Sequence, residues 1–78
     1  METRNTKIER KVFDINTIVV MPSGKEFTMC GEVVNGVVKM DSVDIVFWQK
    51  ENFELMNETV QESVKETAYA EFKRYNSH

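Results

Sequence analysis

Few side chains in this chain carry the equipment for covalent chemistry. There is one cysteine, Cys30, and one histidine, His78, which stands at the C-terminal end of the sequence. Nucleophilic catalysis needs a base held against the nucleophile, and Cys30 has no histidine near it in sequence. A thiol beside Gly31 in an apolar run reads as a small buried residue. Glu26, Glu32, Asp41 and Asp44 are of the right type for acid–base work, but nothing in their spacing fixes a pair. A structural zinc site takes about four Cys or His ligands, more than the chain holds. Gly24, Gly31 and Gly36 fall at turns and strand joints rather than in a phosphate-cradling loop. The expectation is a protein that is not an enzyme, with no catalytic residues, no metal and no cofactor.

Recognition chemistry is better represented. Glu54, Glu58, Glu62 and Glu66 recur every four residues, so on one helix they stack along a single face, about 6 Å apart. Like charges at that spacing repel by a few tenths of a kcal/mol per pair, and Lys65 is the one base placed to relieve them. Such a row is either an acid-rich solvated face or a surface that docks into a basic groove on a partner protein. Tyr69 falls on the same side and suits an interface anchor; the alternative is a ring lying over a neighbouring Lys or Glu stem. A basic cluster of Arg4, Lys7, Arg10 and Lys11 is diluted by Glu2 and Glu9. With a net charge of −3, direct nucleic-acid binding is not expected to be the main activity, because phosphate neutralisation drives such affinity. Weak binding through that cluster is a third reading.

The elements that must carry these residues follow from length and periodicity. Seventy-eight residues make one small domain, and a chain this short buries only about 60% of its unfolded surface. One cysteine allows no internal disulfide, which points to a reducing compartment. No apolar run approaches the roughly 18 residues of a membrane span, and the N-terminus leads into no signal-peptide core; a cytoplasmic location is expected. Residues 1–10 read as a polar N-terminal segment, 11–48 as a β-meander and 53–75 as a helix. Pro22-Ser23-Gly24-Lys25 is a turn between a first strand, about Val12 to Met21, and a second, Glu26 to Val34. Asn35-Gly36 between two Val-Val pairs is a hairpin signal. Val43 to Trp48 continues the third strand past Asp41-Ser42 or forms a fourth. Phe53, Met56, Val60, Val64, Ala68, Phe72 and Tyr75 follow steps of three or four, the stripe of an amphipathic helix. Asn52 and Asn57 both suit its N-cap. The fold class is therefore α+β: a three- to four-stranded antiparallel meander with one C-terminal helix on one sheet face.

One helix covers one face. The other would show Val12, Ile18, Val20, Val34, Val46 and Trp48, an apolar area that on a small protein marks an interface. A homodimer joined through Val12, Ile18, Val20, Val46 and Trp48 is expected.

The run Val19-Val20-Met21-Pro22-Ser23-Gly24-Lys25-Glu26-Phe27 and the helix opening Leu55-Met56-Asn57-Glu58-Thr59-Val60 resemble those of small uncharacterised accessory proteins of bacteriophages. The resemblance spans about residues 12–72 and brings no catalytic residues with it. It implies a viral protein of the host cytoplasm that acts by protein binding, as an inhibitor or modulator of a host or defence factor. The alternative is a self-associating structural or assembly component.

Overall fold

The computed structural model describes residues 1–9 and 14–77; Arg10, Lys11, Val12, Phe13 and His78, with the roles expected of them, lie outside that description. Six strands and two helices follow in order: β1 (Glu2–Ile8), β2 (Ile15–Val20), β3 (Glu26–Gly31), β4 (Val33–Val34), β5 (Val37–Val38), β6 (Asp44–Ile45), α1 (Lys50–Glu54) and α2 (Glu58–Asn76). Four strands form an antiparallel sheet in the order β1-β2-β3-β6, and β4-β5 make a separate hairpin between β3 and β6. The architecture is α+β, an antiparallel sheet with a C-terminal helix.

Local chemistry sets both hairpin turns. Between β2 and β3 the Met21 N–H donates to the Lys25 carbonyl at 2.8 Å, and Gly24 takes φ of 91°, which costs glycine nothing. The pairing runs from Ile15 opposite Gly31 to Val20 opposite Glu26. Asn35 and Gly36, at φ of 52° and 78°, form the type I′ turn expected between the valine pairs.

Several boundaries differ from the sequence reading: the second expected strand, Glu26 to Val34, stops at Gly31, and Val33-Val34 pairs with Val37-Val38 outside the main sheet. The polar N-terminal segment is a strand: β1 pairs with β2 at the edge of the sheet. Its register shifts between Arg4 and Lys7, where Asn5 adopts φ of 55°; a bulge of this kind bends an edge away from further pairing. Val43 to Trp48 is not one strand, because β6 ends at Ile45 and a 3-10 turn, Phe47–Gln49, leads straight into α1. The helix is also interrupted. Leu55 to Asn57 break it, the Asn57 side chain caps α2 by accepting the Thr59 N–H at 2.7 Å, and Asn52 lies inside α1.

The core lies between α2 and one sheet face. Val64, Ala68 and Phe72 are fully buried against Ile15, Val19, Phe27 and Met29, with Val38, Val43, Ile45 and Phe53 completing the cluster. Gly31 packs close beneath α2: a Cβ at that position would lie 3.2 Å from the Phe72 ring, which would have to give by a few tenths of an ångström. Thr17 shares the core face without any exposure, and its hydroxyl bonds that of Thr6 at 2.7 Å and donates to the Arg4 carbonyl at 3.2 Å. Both sides of α2 are tied to the strands. The Thr3 hydroxyl donates to the Glu71 carboxylate, and the Asn76 amide donates to the Gly36 carbonyl at 2.9 Å.

Candidate protein-binding surface

The segment between β6 and α2 builds the most unusual surface of the molecule. Ile45 still obeys the strand period, buried opposite Met29. From Gln49 through Leu55 the backbone stays in the right-handed helical region, so the inward positions become Gln49, Phe53 and Met56, spaced by four and three. Phe53 packs edge-on against Phe27 with ring centroids 5.5 Å apart. Gln49 replaces a missing strand: its Oε1 accepts the Thr28 N–H at 2.7 Å, while the Val46 N–H donates to the Thr28 carbonyl at 3.0 Å.

That anchoring turns the apolar residues outward. Trp48, Asn52 and Leu55 follow the same spacing one position earlier, about 100° round the helix from the inward row, and Phe47 precedes Trp48. Phe47, Leu55 and Trp48 are 86%, 82% and 73% exposed, the highest values among the large hydrophobics. Leu55 and Asn52 also line a cleft of about 400 Å³ with Lys25, Glu26, Phe27 and Met56. Lys50 and Glu54 stand 4.0 Å apart on α1 as a solvent-exposed ion pair.

The residues expected to mediate self-association are only partly brought together. Ile18 and Val20 on β2 and Val46 beyond β6 lie on the sheet face away from α2, but each is half-buried. Arg4 stands opposite Ile18 and Glu26 opposite Val20, and the two form an ion pair across β2. Trp48 has left the sheet, and Val34 belongs to the separate hairpin. The residues named for that face are thus divided between the sheet, the hairpin and the corner, and the largest exposures are at the corner. The sequence reading placed Trp48 in that apolar area but did not include Leu55, whose exposure follows from the helix break. The signal was there in the i, i+7 relation of Trp48 to Leu55, masked by reading the tryptophan as the end of a strand.

The acidic row is shorter than expected. Glu58, Glu62 and Glu66 are exposed along α2 and form no ion pair among the described residues, whereas Glu54 belongs to α1 and pairs with Lys50. Tyr69 does not stand free. It is half-buried against the core and lies under Lys73, whose Nζ is 4.3 Å from the ring centroid.

The remaining polar groups are engaged locally. Arg4 pairs with Glu26 and Lys7 with Glu9, the latter at 3.4 Å. Asp14 accepts the Val33 N–H at 2.8 Å, and Asp44 accepts its neighbour's, that of Ile45, at 2.8 Å. Cys30 is buried, with its thiol directed to the Asp44 carbonyl at 3.4 Å; burial and then the Asp44 charge push it above the ordinary thiol range, away from the reactive thiolate. Among the described residues no three His, Cys, Asp or Glu side chains converge as a metal ion would require, and no helix is long and apolar enough to cross a membrane. No family model, no curated protein and no solved structure matches the chain.

Proposed function

We propose that this is a non-enzymatic protein-binding module whose binding surface is the corner formed by Phe47, Trp48 and Leu55. One observation carries the reading: three large apolar side chains stand almost fully solvated on one short helical segment, while that segment's polar Gln49 points inward. Isolated exposed hydrophobics are ordinary, but three such side chains within nine residues of chain, two of them aromatic, favour an interaction site. The acidic row Glu58, Glu62 and Glu66 would add long-range attraction to a basic partner, raising the encounter rate more than the affinity. An inhibitor or modulator of the kind that the bacteriophage resemblance implies would act in this way, by occupying a surface. Nucleic-acid binding through the N-terminal cluster has less support, since Arg4 and Lys7 both form ion pairs.

Affinity capture from extracts of the source cells tests the reading. Immobilised protein is expected to retain a partner that the combined variant Phe47→Ser, Trp48→Ser, Leu55→Ser does not. The combined variant Glu58→Gln, Glu62→Gln, Glu66→Gln should retain it with a flatter salt dependence. Equal capture by the serine variant and the wild type would overturn the assignment.

A further inference from the structure

We infer that Asn35 is a site of spontaneous self-modification, in which ring closure onto the Gly36 nitrogen slowly converts it to aspartate and isoaspartate. The inference is independent of the corner. What decides such a reaction is access to the nitrogen of the following residue. Asn35 alone of the six asparagines precedes a glycine; at the other five the next side chain screens that nitrogen. Several of those five are also held: Asn16 is buried, the Asn57 side chain caps α2, and the Asn76 amide is bonded to the Gly36 carbonyl. Asn35 and Gly36 are both exposed, and a Cβ placed on Gly36 would meet no atom within 4 Å. Among the described residues the Gly36 N–H forms no backbone hydrogen bond.

The step balances with water as the only co-reactant. The Gly36 nitrogen attacks Asn35 Cγ; the N–Cγ bond forms, the Cγ–Nδ2 bond breaks, and ammonia leaves with the Gly36 proton. Water then opens the five-membered imide. Cleavage at Cγ gives aspartate. Cleavage at the main-chain carbonyl carbon gives isoaspartate, with the chain now running through the side chain. Nothing is oxidised or reduced.

The hairpin gates the reaction. A flat imide ring needs the Gly36 nitrogen eclipsed with Cβ about the Asn35 Cα–C bond, whereas the type I′ turn holds Asn35 in the left-handed region. The tip must therefore open first. Strands β4 and β5 have two residues each, a size that is marginal for a hairpin on its own, and the outer pair, Val34 and Val37, is 42% and 59% exposed. The Asn76 bond, at 2.9 Å, straps the tip to α2.

The two products differ in consequence. Asp-Gly suits a type I′ turn as Asn-Gly does, so aspartate keeps the hairpin. Isoaspartate adds a backbone carbon to a loop whose length fixes the register. It breaks the Val34–Val37 pairing and the Asn76 bond and loosens the buried Val38 behind them. The chain thus carries a slow release of the C-terminal end of α2.

The purified full chain is incubated at physiological temperature in mildly alkaline buffer for several weeks. Mass spectrometry with electron-transfer fragmentation follows it and separates isoaspartate from aspartate. Asn35 is expected to react before any other asparagine and to give both products. Asn76→Ala should speed the reaction about two- to ten-fold, the range by which loss of one hydrogen bond shifts an opening equilibrium. In hydrogen exchange the isoaspartate form should lose protection at Val37, Val38 and the last turn of α2, while Asn35→Asp matches the wild type. An Asn35 that stays intact, or reacts no sooner than another asparagine, overturns the site. An unchanged rate in Asn76→Ala overturns the gate, and an isoaspartate form with wild-type exchange overturns the release.

Discussion

Beneath α2, Val64, Ala68 and Phe72 have no accessible surface, while at the corner Phe47 and Trp48 keep most of theirs. Both regions carry apolar residues of helical segments, but Val64, Ala68 and Phe72 follow steps of four on α2, whereas Phe47 and Trp48 are adjacent and Leu55 lies seven residues beyond Trp48. Beneath the helix the usual order holds: apolar groups point in, and the one fully buried polar side chain, Thr17, is hydrogen-bonded. At the corner the order is inverted, with the Gln49 amide inside and the aromatics outside. The comparison separates two jobs for the same residue types. The first region forms the core; the second stays largely exposed and is the surface to which the proposed binding role falls.

Four measurements break or sharpen that contrast. The largest effect is expected from Phe72→Ala, which opens a cavity in the fully buried region and should cost about 3–5 kcal/mol by urea denaturation. A loss under 1 kcal/mol would mean that the helix–sheet core is not the main source of stability. Gly31→Ala tests the same region from the opposite direction. The added methyl meets the buried Phe72 ring, and overpacking of this kind should cost about 1–3 kcal/mol.

A smaller effect is expected on acidification. Burial raises the Glu71 carboxyl, but the hydrogen bonds from Thr3 and Arg74 and the charge of Arg74 outweigh it, leaving the group below its ordinary value of 4.5. Its ionised form therefore stabilises the fold above the unfolded value, and that contribution disappears as the pH falls through the folded value. Denaturation midpoints followed from pH 6 downward (about two units) should fall less steeply in Glu71→Gln than in the wild type. The smallest effect belongs to the corner. Phe47→Ser or Leu55→Ser should change stability by no more than about 0.5 kcal/mol in the same urea denaturation. A loss comparable to that of Phe72→Ala would erase the distinction between the two regions.

What could be read from the sequence divides along the same physical lines. The Asn35-Gly36 turn, the Pro22–Lys25 turn and the stripe Val64, Ala68, Phe72 depend on local conformational preference and a single period, and all three stand where expected. β1 was hidden because its residues are polar and largely exposed. It is a strand because of distant partners, Thr17 through Thr6 and Glu71 through Thr3, which no local window contains. The corner was half legible. Val43 to Trp48 is a largely apolar run, and the chain turns helical before it is over, with the Gln49 side chain and the Val46 N–H taking up the β3 edge at Thr28. The acidic row was legible as spacing but not as a shared helix, since the break at Leu55 removes Glu54 from it.

The bond between Thr3 and Glu71 spans 68 positions of sequence, and this sets an order in time. At the roughly 5–20 residues per second of protein synthesis, β1 leaves the ribosome on the order of 3–14 s before the helix turn that will hold it. An apolar strand kept waiting that long would be a site for sticking to other nascent chains. The polar, bulged β1 can wait uncovered, so the composition that made it hard to recognise as a strand also makes it safe to synthesise first.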